Sequence, residues 1–203
     1  MMPLRRPTPS QLSHELRKAN SPHLRRRRWI VGLSYMGATM GQIVALYQLG
    51  VLRRLPDPPL DLFDSSRVDA SDYAYKRHQT PDGLMMVATY ATTALLAGAG
   101  GRDRAQQMPW LPIAMAAKAL YDAGVTLKLG REEWNDNKAL CAYCQTATVA
   151  SLATAVLALP EATEAVRAMA SDRRPADEEP ESGRLPSSRQ RALVPADLPA
   201  ESA

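Results

Sequence analysis

Three stretches of this chain carry no charged side chain and are long enough to cross a bilayer: residues 29–52, 84–101 and 139–159. A hydrocarbon core takes about 20 predominantly apolar residues of helix, so each stretch predicts a transmembrane helix. A fourth, 108–127, holds Lys118 and Asp122 one helical turn apart. Those two are predicted to pair on a face turned into a bundle rather than toward lipid. The 203-residue chain has a mean hydropathy of -0.29 only because its charge is concentrated at the ends and in the connections.

The apolar material is small and aliphatic: aromatic residues make up 5% of the chain and there is a single Phe. Gly37, Ala38, Gly41, Ala88, Ala91, Ala116 and Ala117 would let helices approach closely. A soluble four-helix bundle with Ala-rich seams is the competing reading, but three uncharged spans are hard to keep in solution. The expected fold is therefore all-α, a four-helix transmembrane bundle over residues 29–160. A disordered basic arm (1–28) precedes it, and a disordered Pro- and charge-rich tail (161–203) follows, apart from a short helical continuation near 162–170.

Basic residues set the expected orientation. Arg5, Arg6, Arg17, Lys18 and the run Arg25 to Arg28 precede the first span. The connection 53–83 sets five basic residues against six aspartates, and Arg102 with Arg104 marks the next connection. Both termini are expected to be cytoplasmic. The arm is too long for a cleavable signal, and no small-residue cleavage site is evident. The Arg25 to Arg28 run lacks aromatic interleaving, so topology and anionic lipid account for it better than nucleic acid does.

One constellation carries chemistry: Cys141-Ala-Tyr-Cys144 at the start of the fourth span. On a helix, i and i+3 share a face, the pair can form a disulfide, and the positive end of the helix stabilises a thiolate. The expected topology puts this end outside the cytoplasm, where disulfides persist. Three other readings compete. A zinc site would need further ligands, and His14, His23 and His78 are not spaced to supply them. The two cysteines could be small buried hydrophobes. A permanent disulfide over so short a loop would stabilise little. Redox use is favoured and no metal is expected.

With Val68-Asp-Ala-Ser-Asp-Tyr-Ala74, Thr80-Pro-Asp-Gly83, the Arg-rich entry and Leu140-Cys-Ala-Tyr-Cys144, the chain resembles the bacterial membrane proteins of the vitamin K epoxide reductase family over roughly residues 24–166. The resemblance implies a four-helix bundle around a quinone pocket, with ubiquinone or menaquinone as the type of cofactor. It also implies that Cys144 faces the quinone and that Cys141 takes electrons from an extracytoplasmic thioredoxin-like carrier or a small thiol. The setting it implies is a bacterial inner membrane. Two positions depart from the family pattern. The connection between spans one and two has no cysteine pair, and Ser65 stands where a relay cysteine would be. Thr148 occupies the position four after Cys144 that is often a quinone-contacting tyrosine.

Asp82 lies where the family places a polar quinone contact, although an aspartate ahead of a helix is commonly a cap. Tyr90 and Tyr121 could donate to a quinone oxygen, or could simply be packed and hydrogen-bonded. Trp29, Trp110 and Trp134 sit at span ends as interfacial anchors. Two functions follow as expectations: a thiol oxidoreductase passing electrons to quinone, or a non-catalytic membrane module that keeps the fold and binds a lipid, a quinone or a protein partner.

Overall fold

A computed structural model of the chain describes residues 8–77 and 79–172, and the described residues are all-helical. Four long helices dominate: α2 (Pro22–Gln48), α4 (Asp82–Gly98), α6 (Trp110–Asn137) and α7 (Ala142–Asp172). Three short helices accompany them: α1 (Pro9–Lys18), α3 (Ser65–Asp69) and α5 (Arg104–Gln107). A 3-10 turn spans Asp72–Tyr75.

The arm is ordered over the described residues, contrary to the expectation of disorder. Thr8 and Gln11 form a reciprocal capping box at the head of α1, and Ser21 caps α2 through the Leu24 N–H with Pro22 in the first turn. Helix α2 therefore starts three residues ahead of the Arg25 to Arg28 run, takes in the whole run and passes without a break into the first apolar stretch. Its buried residues, Leu24, Arg27, Ile30, Ser34, Gly37, Gly41, Val44 and Ala45, recur at intervals of three and four and make one face. Arg28 then ties the two helices by donating to the carbonyls of Leu16 and Ala19.

Helix α7 also overruns its expected end. Pro160 lies inside it and removes one backbone donor, yet the helix continues to Asp172. Burial of Ala158, Ala162 and Ala165 and the bonding of Glu161 hold the turns on both sides of the proline. The tail from 173 onward, where most of the expected disorder was placed, lies outside the described residues.

Helix α2 packs on α4 and α7, and α6 packs on α7. The α2–α4 contact is closest at two glycines. A Cβ on Gly37 would stand 2.4 Å from the Tyr90 ring, and one on Gly83 would stand 2.5 Å from the Ala45 backbone nitrogen. The core between the helices is mostly alanine, with Ile30 and Met115 as its larger members. Large apolar side chains point outward instead: Tyr35, Leu95, Leu120, Val149, Val156 and Val166 are all more than half exposed. Helices α2 and α7 are long and apolar enough to cross a membrane, and only 33% of the tested window in each is buried. A core helix of a water-soluble protein would be mostly covered.

The two ends of the helix group differ in their cover. At one end the connection from α2 to α4 folds over the helices. Phe63 pairs with Leu140 in an isolated bridge, the Tyr47 hydroxyl donates to the Ser66 carbonyl at 2.8 Å, and the Tyr73 hydroxyl donates to the Leu129 carbonyl at 2.9 Å. At the other end Arg27 threads its guanidinium into the C-terminus of α4 and donates to the carbonyls of Ala97, Ala99, Gly100 and Gly101.

Candidate functional site

The two cysteines sit under the folded connection, where α7 begins. Both thiols are free, Cys141 fully buried and Cys144 partly so. The amides at the head of α7 are met one by one: three by side chains, and the fourth by the first regular bond of the helix. Cys141 N–H donates to a Glu133 carboxylate oxygen, and Ala142 N–H to Ser65 Oγ at 2.9 Å. Cys144 N–H donates to Cys141 Sγ at 3.2 Å, and Gln145 N–H to the Cys141 carbonyl at 3.0 Å. The sulfur of Cys141 thus takes the place of a capping oxygen, so an amide dipole points at it.

Ser65 accepts from the head of α7 and donates to Asp57, whose other carboxylate oxygen accepts from the Ser65 N–H. The short helix α3 is thereby locked to α7. That lock places Asp69 beside the sulfurs: its Oδ1 lies 3.9 Å from Cys144 Sγ, and its Oδ2 is buried without a partner.

A cavity of about 330 Å³ opens on the other side of Cys144, between α4, α6 and α7. That volume is at the lower end of what small-molecule sites use. Asp82, Tyr90, Tyr121 and Thr148 all line it with Cys144, so the structure brings all four candidate contact residues to one space. Their commitments differ. Tyr90 donates to the Ala147 carbonyl at 2.5 Å and meets Ser151 Oγ at 2.8 Å, while Thr148 bonds back to the Cys144 carbonyl at 2.9 Å. The Tyr121 side chain is 71% exposed. Asp82 is the first residue of α4 behind the N-cap Pro81, and its carboxylate accepts from Gln48 Nε2 at 2.6 Å. Met85, Met86, Val125 and Leu129 supply apolar wall, and Cys141 does not line the cavity.

Carboxylates crowd this end of α7. Burial raises Asp69 to about 7, opposed by the neighbouring Cys141 thiol and helped by the nearby Asp82 and Asp57. Burial raises Glu133 to about 8, against the bond from the Cys141 amide. Burial likewise raises Asp82, partly offset by the Gln48 bond. The expected stabilisation of a thiolate by the helix end is therefore opposed by neighbouring negative charge.

Lys118 and Asp122 pair at 2.5 Å, and Lys118 also reaches Thr93 Oγ1 on α4 at 2.9 Å, so the pair turns inward as expected. Trp29, Trp110 and Trp134 are exposed; Trp110 and Trp134 stand near the two ends of α6, whereas Trp29 lies about two turns inside α2, which starts earlier than expected. His14 and His23 lie on α1 and α2, away from the cysteines, and His78 is outside the described residues. Sequence reasoning quoted Asp69 only as part of a family phrase and passed over Glu133 and Gln145. A lone acidic residue in an acidic connection carries no mark of the contact it will make.

Compared with known proteins, residues 28–159 match the family model described as the vitamin K epoxide reductase family. No curated protein and no solved structure matches the chain.

Proposed function

Because this chain belongs to the vitamin K epoxide reductase family, we propose that it is an integral membrane thiol-disulfide oxidoreductase that oxidises a dithiol donor at Cys141 and Cys144 and passes the electrons to a quinone. One observation carries the reading: two free thiols share the head of α7, and one of them, Cys144, forms part of the cavity wall. A quinone supplies a two-electron, two-proton sink when bound there. The apolar wall of Met85, Met86, Val125 and Leu129 suits a flat ring, and Tyr90, Tyr121 and Asp82 place polar atoms around it.

Cys141 is the thiol that exchanges with the donor, and Cys144 the one that meets the quinone. With no second cysteine pair in the chain, electrons pass directly to Cys141 from a thioredoxin-like carrier or a small thiol. The donor has to displace the connection over Cys141, which Phe63, Ser65 and Tyr143 hold in place through Leu140, Ala142 and Pro56. In this reading α2, α4, α6 and α7 all span a bacterial inner membrane with both termini cytoplasmic. The quinone is of the ubiquinone or menaquinone type. The inward Lys118–Asp122 pair and the outward apolar side chains support four spans.

The test is quinone reduction by the detergent-purified protein, supplied with a dithiol and a soluble quinone. Wild type should turn over, while Cys141→Ser and Cys144→Ser fall to the uncatalysed background. Equal rates in all three would overturn the enzyme reading and leave a membrane module that binds without turnover.

A further inference from the structure

The carboxylate of Asp69 is placed for a task that packing does not explain. The residue is 1% exposed, one of its oxygens lies within reach of Cys144 Sγ, and the other has no hydrogen-bond partner. Its carboxylate and both sulfurs lie within 4.8 Å of one another. Among the described residues no ion pair joins it. The groups around it are Asp57 in the connection, Asp82 from α4, Glu133 from α6 and the two cysteines of α7. A buried carboxylate left in acidic company costs stability, so its position calls for a compensating use.

Resting on the functional reading above, we propose that Asp69 is a catalytic base of this site, taking the Cys144 thiol proton as the dithiol is oxidised. The balance is simple. Two S–H bonds break and one S–S bond forms between Cys141 and Cys144. The two electrons and two protons released reduce one quinone to quinol. Asp69 receives the Cys144 proton as that sulfur gives up its share of the electrons, and returns to the carboxylate when the proton moves on. Cys144 lines the cavity and Asp69 does not, so the base reaches the thiol without itself forming part of the quinone wall. Burial and the neighbouring acids hold Asp69 near 7, where a carboxylate can both take and release a proton at physiological pH.

Two readouts on Asp69→Asn test this. In the full-length protein carrying Cys141→Ser, Cys144 is the single thiol. Its alkylation at pH 8 should be several-fold faster with Asn at 69, because the adjacent negative charge is gone. In the intact dithiol protein the same substitution should slow quinone-linked oxidation at pH 7 by about tenfold or more. The acid limb of the rate profile near pH 7 should disappear as well. A thiol that ionises more readily yet is oxidised more slowly is the mark of a lost base, and a purely structural role would not produce it. Asp69→Glu keeps a carboxylate and should keep an acid limb, displaced from the wild-type one.

Wild-type rate and an unchanged acid limb in Asp69→Asn would overturn the proposal, as would alkylation unaffected by the substitution. Should Asp69→Asn fail to fold, an unaltered profile in Asp69→Glu would overturn it equally. If wild type itself reduces no quinone, the functional reading falls and this one with it. If wild type is active and Asp69→Asn matches it, only the role of Asp69 falls.

Discussion

The two ends of this helix group both bury charge, and they treat it in opposite ways. At the end where α4 finishes, Arg104 is fully buried and makes a two-armed bond to Glu161 at 2.8 and 2.7 Å, while its remaining donors reach the carbonyls of Leu96 and Ala99. Arg27 shares the Ala99 carbonyl and reaches three more, those of Ala97, Gly100 and Gly101. At the end where α7 begins, Asp69, Asp82 and Glu133 gather around two thiols with no buried cation beside them among the described residues, and Asp69 keeps an unpartnered oxygen. Saturated charge with matched geometry is the mark of a clamp; partly satisfied charge held at a raised pKa is what a redox site with proton traffic needs.

The sharpest way to break this comparison is at the clamp. Glu161→Ala would leave Arg104 buried and unpaired at a cost of about 3–5 kcal/mol, large enough to collapse the yield of folded protein. Whatever folds should retain dithiol oxidation per molecule, since the clamp is at the far end of the helices. Loss of turnover in well-folded Glu161→Ala protein would show that the two ends are not independent.

A smaller effect is expected at the thiol end from Ser65→Ala. The Ala142 amide loses its acceptor and Asp57 loses one of its two bonds to Ser65, keeping the one from the backbone N–H, and loss of a cap costs about 1 kcal/mol. Thermal unfolding in detergent should register a modest drop. Because α3 is released from α7, quinone reduction should fall further than stability does.

A separate contrast lies in the pH dependence of stability, which the raised carboxylates confine to the thiol end. Asp69 and Glu133 hold their protons more tightly when folded, near 7 and 8, than in an unfolded chain at about 4. The folded state therefore binds more protons across that window, so stability should be highest on its acid side and decline as pH rises from about 4 toward 8. The thermal midpoint should fall over this range, and Glu133→Gln should flatten part of the fall. An equal slope in that variant would show that Glu133 does not titrate there.

Several structured elements were readable from short signals. Thr8-Pro-Ser-Gln11 and Ser21-Pro22 have the form of helix starts, so α1 and the early start of α2 were legible even though the arm's charge suggested disorder. Helix α7 runs through Pro160 because tertiary contacts hold it there: Glu161 is held by Arg104 across the fold, and no local rule anticipates that bond. Around the cysteines, the spacing of Cys141 and Cys144 was plain, and the candidate contacts Asp82, Tyr90, Tyr121 and Thr148 share one cavity. Asp69 and Glu133 were not legible as site residues, since each meets the sulfurs or the Cys141 amide from a different element.

By itself the sequence determined the all-helical class, the long apolar stretches and the closeness of two thiols at a helix head, because helical periodicity, uncharged length and i to i+3 spacing are local properties of a chain. The tertiary structure alone decided which charges are clamped and which are left wanting. Hydrogen-bond satisfaction of a buried group depends on partners brought from tens of residues away, and no stretch of sequence holds both halves of such a bond.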